Sequence, residues 1–332
     1  MCCLFGFIDY NHNLSGKQKN RLLRSLASAA EERGTDAAGI AYHTGGKLHI
    51  MKKAKPAHVL RFRVLAETSV VMGHTRYATQ GDAKKAYNAH PFQGQIGNKK
   101  FALAHNGVLL NDRLLQQAED LPKTYIGTDS YVAVQLLEKQ NALNFNSLRK
   151  VAEQVQGTFV FTVLDAQDNL YFVHGDNPLC LYHFPKQGIS VYASTQSILE
   201  HGLTASGLSF LKKPVEVKTD EGDILRIDRH GEQEIVDGYI QAVYPFEEPV
   251  ALICNEEGKL NGLPLNRALW DEDGTLYDII SGTFFLCAAP PDAENFQSLS
   301  EEQLLYYEER FRCPEMFLNV NGKLVCLPVS PI

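Results

Sequence analysis

Leu4-Phe5-Gly6-Phe7-Ile8 is an unbroken apolar run of strand length and predicts a buried strand near the head of the chain. The period then changes. Leu22, Leu26 and Ala29 recur on one helical face, with Ser15 where an N-cap belongs and Gly34 where a helix ends. A helix is therefore predicted from Ser15 through Glu32. Strand patterns return at Gly39–His43 and Lys47–Lys52, joined across Thr44-Gly45-Gly46, and again at Val70–Arg76 and Lys100–Ala104. Two further helices are expected. Thr128 opens the first, which carries Val132, Val134, Leu136 and Leu137; Asn146 opens the second, which ends at Gly157. Beyond it the chain is strand-rich: Thr158–Leu164, Leu170–His174, Pro178–Phe184 and Gly188–Ala193. A brief helix from Ser194 to Glu200 follows, then strands at Val215–Lys218 and Asp223–Ile227 with Asp220-Glu221-Gly222 as the turn between them. Helices grouped among many strands predict layered sheets flanked by helices.

Prolines, acidic residues and a shift in charge coincide at Tyr244-Pro245-Phe246-Glu247-Glu248-Pro249, which divides the chain into domains 1–245 and 246–332. The second reads as a small acidic α+β unit. Its expected elements are strands at Val250–Cys254 and Tyr277–Cys287, a helix at Ser300–Phe311, and a hairpin of Met316–Val320 and Lys323–Leu327 across Asn321-Gly322. Asn255–Asp273 lacks a period and reads as a long loop.

With 332 residues, 44% of them hydrophobic, the chain can bury the cores of two domains. The net charge of −7 is uneven: from Phe246 onward fifteen acidic residues face five basic ones, a balance of −10, leaving +3 for the preceding part. No basic stripe suits a nucleic-acid backbone, and no segment approaches the ~20 apolar residues of a membrane span. The first ten residues do not read as a secretory signal. Seven cysteines, an odd number without a Cys-x-x-Cys pair, argue against a disulfide framework or zinc finger, so a reducing cytoplasm is expected.

Chemistry concentrates at Cys2 and five later segments. Removal of Met1 would give Cys2 a thiol and a free α-amine on one residue. An unperturbed amine titrates near ~7.7–8.0 and can take the thiol's proton at neutral pH. Asn106-Gly107 offers a side-chain amide beside a close-approaching backbone N–H, the donors an oxyanion needs, or else a plain turn between strands, and spacing alone does not choose between them. Arg76 ends an apolar strand, where its fork fits a carboxylate, either a ligand's or a structural partner's. Asp129 at a predicted helix start can hold a substrate ammonium or stabilise the helix end. Arg33 can sit against the carbonyls of the first helix. His74, His90 and His105 lack metal-ligand spacing, and His90 before Pro91 reads as a loop-shaping residue. No phosphate-loop or dinucleotide glycine motif is present, and no cofactor is expected.

In order, Cys2, Arg33-Gly34-Thr35-Asp36-Ala37-Ala38-Gly39, Gly73-His74-Thr75-Arg76-Tyr77-Ala78-Thr79-Gln80-Gly81, Asn88-Ala89-His90-Pro91-Phe92, Ala104-His105-Asn106-Gly107 and Gly127-Thr128-Asp129-Ser130 resemble the class II glutamine amidotransferase domain, a member of the N-terminal nucleophile hydrolases. The resemblance runs from Cys2 to about Ile240. It implies a four-layer αββα fold in which Cys2 attacks the glutamine side-chain amide with its own amine as base. It further implies Asn106 and Gly107 as the oxyanion hole, Arg76 on the substrate carboxylate and Asp129 on its ammonium. Thr79 would lie in the same substrate loop, Arg33 would position the N-terminus, and His90 would have a supporting place. Three positions depart from the family: Cys3 replaces a usual glycine, Tyr77 a tryptophan of some members, and Tyr131 a frequent glutamate.

The expected activity is a glutaminase half-reaction that feeds ammonia to a separate acceptor or synthase protein docked through the C-terminal domain. The alternatives are a free-standing amidohydrolase for glutamine or another γ-glutamyl amide, and a non-catalytic glutamine-binding interaction protein.

Overall fold

The computed structural model describes residues 2–236, 240–255, 259, 263–270, 276–291, 293, 296–320 and 323–329. They form two compact units, Met1–Ile235 and Val236–Ile332.

The first unit runs β1 (Cys3–Asp9), α1 (Gly16–Ala29), β2 (Ala37–Thr44), β3 (Lys47–Lys53), β4 (Val70–Arg76), β5 (Phe92–Ile96), β6 (Lys99–Leu109), α2 (Asp112–Ala118), α3 (Tyr131–Gln140) and α4 (Phe145–Gln154). It continues with β7 (Gly157–Leu164), β8 (Leu170–His174), β9 (Cys180–Phe184), β10 (Ile189–Ala193), α5 (Gln196–Ser206), β11 (Val215–Glu216), β12 (Ile224–Ile227) and β13 (Gln233–Val236). One sheet has the order β11-β9-β10-β1-β4-β2-β3, the other β13-β12-β8-β7-β6-β5.

Side-chain alternation along the strands explains the layering. In β1, Cys3, Phe5 and Phe7 join Leu22, Leu23 and Leu26 of α1 and Ile198 and Leu199 of α5 in one core. Leu4 and Ile8 of the same strand point the other way, to a core shared with Ala102 and Ala104 of β6, Val160 of β7 and Phe172 of β8. Phe101 and Leu103 of β6 pack in a third core with Val132, Leu136 and Leu137 of α3 and Leu148 and Val151 of α4. Three cores between four layers make the αββα sandwich that the resemblance implied. Cys3 points into the helix-side core, away from the space between the sheets.

Local chemistry sets the ends of these elements. Ser15 and Gln18 form a capping box at α1, and the β2–β3 turn sits on Gly45 and Gly46, both in the left-handed region. Asp9 and Lys19 form a fully buried ion pair at 3.1 Å, with Lys19 also donating to the carbonyls of Ala66 and Thr68.

Several expectations are corrected. Asn106-Gly107 is no turn: β6 continues through it to Leu109, paired with β7. The α3 helix begins at Tyr131, because Thr128–Ser130 form a turn in front of it. Asn144, in a capping box with Ser147, replaces Asn146 as the cap of α4, and Thr195 replaces Ser194 at α5. Strands β11 and β12 belong to different sheets, so Asp220-Glu221-Gly222 links two layers rather than two hairpin strands. Strands β5 and β13 and helix α2 carry patterns too short or too mixed to read from sequence.

The second unit contains β14 (Ile240–Val243), β15 (Val250–Asn255), β16 (Leu265–Trp270), β17 (Leu276–Ser281), β18 (Phe284–Ala288), α6 (Glu301–Arg310), β19 (Glu315–Val320) and β20 (Lys323–Pro328). They form a sheet of order β14-β15-β18 and two two-stranded sheets. Pairing of β14 with β15 assigns Ile240–Val243 to this unit, ahead of the division at 245/246 read from charge and prolines. The expected single strand Tyr277–Cys287 is two, broken at Gly282 in the left-handed region, and β16 occupies part of the expected loop. The Asn321-Gly322 turn lies outside the described residues.

Candidate active site

The chemistry gathers where β1 begins, at one end of the space between the sheets. Cys3 pairs with Thr75, so the register sets Cys2 beside the end of β4. The Cys2 sulfur lies 3.5 Å from the Tyr77 carbonyl oxygen, and the Arg33 Nε donates to the Cys2 carbonyl at 2.8 Å. Burial pushes the Cys2 thiol up, while the hydrogen bond with Tyr77 acts against that rise. The Arg76 and Asp129 charges also reach the thiol, with opposite signs. A thiol held protonated needs a base before it can attack. A cavity of about 400 Å³ is lined by Arg33, Gly34, Thr35, Tyr77 and Thr195, among others, and so includes Arg33 and Tyr77, which hydrogen-bond with Cys2.

Arg76 is buried at the end of β4. Its Nη2 donates to the Gln80 carbonyl at 2.5 Å, but its buried Nη1 has no hydrogen-bond partner among the described residues. The loop beyond is fixed by Asp36, whose backbone N–H donates to Arg76 O and whose carboxylate accepts from Ala78 N–H. Thr79 is exposed in that loop.

Asp129 is buried, and its Oδ2 accepts the Leu109 backbone N–H at 2.7 Å. This tie holds the turn before α3 against the end of β6.

Asn106 has the parity of Ala102 and Ala104, so its side chain enters the space between the sheets. Its Nδ2 donates to Ser194 Oγ at 3.3 Å, and that hydroxyl also accepts the Leu4 backbone N–H at 2.8 Å. One serine thus links the amide of Asn106 to the backbone two residues beyond Cys2, leaving the second amide hydrogen for another acceptor. Gly107 has φ 146°, and a Cβ there would collide with the Thr158 carbonyl oxygen.

His90 lies apart from these groups, its ring 4.1 Å from His74, 4.4 Å from Phe92 and 6.4 Å from His105, with neither nitrogen hydrogen-bonded among the described residues. The His90–Pro91 peptide is cis. Burial holds His74 at a pKa of about 3 and lowers His90 and His105 as well, so the three rings are neutral near pH 7. Among the described residues no group of three or more His, Cys, Asp or Glu is arranged to hold a metal.

Sequence reasoning missed Ser194, Asn177 and Lys52. Ser194 looked like a helix cap. Asn177 Nδ2 donates to Asn106 O at 3.3 Å from a loop without local pattern. Lys52 donates to Ala89 O at 2.6 Å and lies 4.5 Å above the Phe92 ring; burial, aided by Arg76, lowers its pKa to about 8.

Comparison with known proteins fits this geometry. The family model for class II glutamine amidotransferases matches residues 1–183, and a model described as a domain of unknown function (DUF3846) matches residues 212–312. The glutamine–fructose-6-phosphate aminotransferase (isomerizing) of Geobacillus kaustophilus is 34% identical over 188 residues, 54% of this chain and 30% of its own length. The same enzyme of Bacillus cereus is 33% identical over 191 residues, with the same shares. The chain therefore aligns with less than a third of the length of these curated relatives. The glutamine phosphoribosylpyrophosphate amidotransferase of B. subtilis, solved with ADP and GMP, shares the fold at a TM-score of 0.55 and 21% identity, over 71% of this chain and 49% of that one. No helix among the described residues is long and apolar enough to cross a membrane. This chain belongs to the class II glutamine amidotransferases, of the N-terminal nucleophile hydrolase superfamily.

Proposed function

We propose that the Met1–Ile235 unit performs the glutaminase half-reaction with Cys2 as nucleophile once Met1 has been removed. The observation that carries this reading is the unpartnered Nη1 of buried Arg76, beside a partly buried Cys2 and within electrostatic reach of Asp129. A buried N–H without an acceptor costs about 1–3 kcal/mol, and a substrate α-carboxylate would remove that cost. Asp129 would hold the α-ammonium, and the glutamine side chain would extend from these two groups towards the Cys2 sulfur. Thr79 would contribute from the loop after Arg76.

The Cys2 amine takes the thiol proton as sulfur bonds to the amide carbon. The free Asn106 amide hydrogen and the Gly107 N–H receive the developing oxyanion. Collapse breaks the C–N bond, and the amine returns the proton to the leaving nitrogen, which departs as ammonia. Water, deprotonated by the same amine, then cleaves the γ-glutamyl thioester to glutamate and restores the thiol. Arg33 would orient the nucleophile by holding the Cys2 carbonyl, and His90 would act only at a distance, as a neutral core ring packed against His74. The ammonia would pass to a separate acceptor or synthase protein docked through the C-terminal unit, in the cytoplasm.

Ammonia release from glutamine should fall to background in Cys2→Ala with the fold retained by circular dichroism. Residual turnover above background in that variant would refute the assignment. Adding a co-purifying partner should raise the rate. An unchanged rate favours the free-standing amidohydrolase, and glutamine binding without any turnover in the wild type favours a non-catalytic binding role.

A further inference from the structure

The chain's single tryptophan does not lie in the amidotransferase unit. Trp270, at the end of β16, lines a cavity of about 720 Å³ built wholly within the second unit, with Tyr244, Tyr277, Tyr306, Tyr307, Arg310 and the glutamates 247 and 248 on its walls. That volume suits a small organic ligand. Tyr307 is buried and packs on Phe246 at 4.8 Å, whereas Tyr244, Trp270, Tyr277 and Tyr306 are each 47–64% exposed. Among the described residues none of Tyr244, Trp270 and Tyr277 pairs with another aromatic ring, and each presents about half or more of its surface to solvent.

Electrostatics select the occupant. The sequence from Phe246 onward carries a balance of −10, and one guanidinium against two carboxylates leaves the cavity wall net negative. An anion is disfavoured there. Aromatic faces add negative potential, and the unit already seats its own cations on them: Arg310 lies 5.0 Å above the Phe246 ring and Arg267 5.8 Å above Phe311. The geometry points to this cavity as a binding site for a small organic cation of the alkylammonium or quaternary ammonium class, held between the exposed aromatic rings and the carboxylates of Glu247 and Glu248. The site is separate from the glutamine chemistry and does not depend on it.

Trp270 supplies the signal. Choline, titrated into the intact protein, should change tryptophan fluorescence saturably, with calorimetry covering the case of a silent ring. Its neutral isostere 3,3-dimethylbutan-1-ol should bind at least tenfold more weakly. Tyr277→Ala should weaken choline binding by roughly threefold to tenfold, the range expected for one cation–π face. Glu247→Gln combined with Glu248→Gln should also weaken it; all three positions are exposed, so the variants should keep the wild-type melting temperature. Absence of choline binding by both methods, equal binding of the neutral isostere, or tighter binding of adenosine than of choline would each overturn the assignment, the last in favour of a neutral planar ligand.

Discussion

In the Met1–Ile235 unit, sheets of seven and six strands enclose one core and each carries another on its helical side. Polar groups inside it are held from several directions: Asp129 by Leu109, Asn106 by Ser194, Arg33 against Cys2. Among the described residues of the Val236–Ile332 unit the sheets have three, two and two strands, the buried clusters are small, and several large rings face outward. Thick layers let a protein bury charge and still satisfy most of it, which orients groups before substrate arrives. Thin layers cannot do this, and what they offer instead is a surface of aromatic faces. The contrast is the ground on which bond-breaking chemistry is proposed for the first unit and recognition for the second.

The largest expected effect tests the first unit's tolerance for buried charge. Lys19→Ala leaves Asp9 charged and buried, which should cost about 3–5 kcal/mol in denaturant unfolding; a loss below 1 kcal/mol would mean that the interior is far wetter than the ion pair implies. Next, Asn106→Ala should lower the turnover for glutamine by about 10²–10³ with little change in KM. Equal turnover would remove Asn106 from the oxyanion site.

Acid supplies a third test. The folded-state pKa of His74 is about 3, against about 6.5 unfolded, and His90 is lowered in the same sense. Between those values the unfolded chain binds protons that the folded chain refuses. Stability of the first unit should therefore be full above pH ~6.5 and decline as pH falls towards ~3. His74→Gln should flatten that decline, and an unchanged pH profile would contradict neutral burial. The smallest effect belongs to the second unit: Tyr277→Ala, at an exposed ring, should shift stability by no more than about 0.5 kcal/mol.

Much of this contrast was legible in the chain. The strand Val70–Arg76 was bounded correctly because a short run buried at every position starts from a compact apolar stretch and ends at a charged residue. Arg76 ends β4 and Asn106 lies on β6, while Cys2 precedes β1, which pairs with β4; Arg33, after α1, reaches the Cys2 carbonyl, and Asp129, in the turn before α3, is tied to the end of β6. Local pattern failed where long-range bonds decide. Asn106-Gly107 has the composition of a turn, but β7 pairs with it, and the left-handed φ of Gly107 serves a close approach to Thr158 instead. Ser194 resembled a helix cap, yet its hydroxyl is taken by Leu4 and Asn106. In the second unit short strands and aromatic clusters carry no sustained period, so β16 left no sequence signal, while the break in Tyr277–Cys287 had one, Gly282, that was passed over.

The central claim, that Cys2 is the nucleophile of a glutamine site formed with Arg76, Asn106 and Asp129, is tested most directly by mapping a covalent label. After incubation with diazo-oxo-norleucine, peptide mass spectrometry should find Met1 absent and one adduct on the Cys2 sulfur, with ammonia release lost in proportion to labelling. An adduct on any of the other cysteines, or full glutaminase activity in protein that retains Met1, would contradict the account.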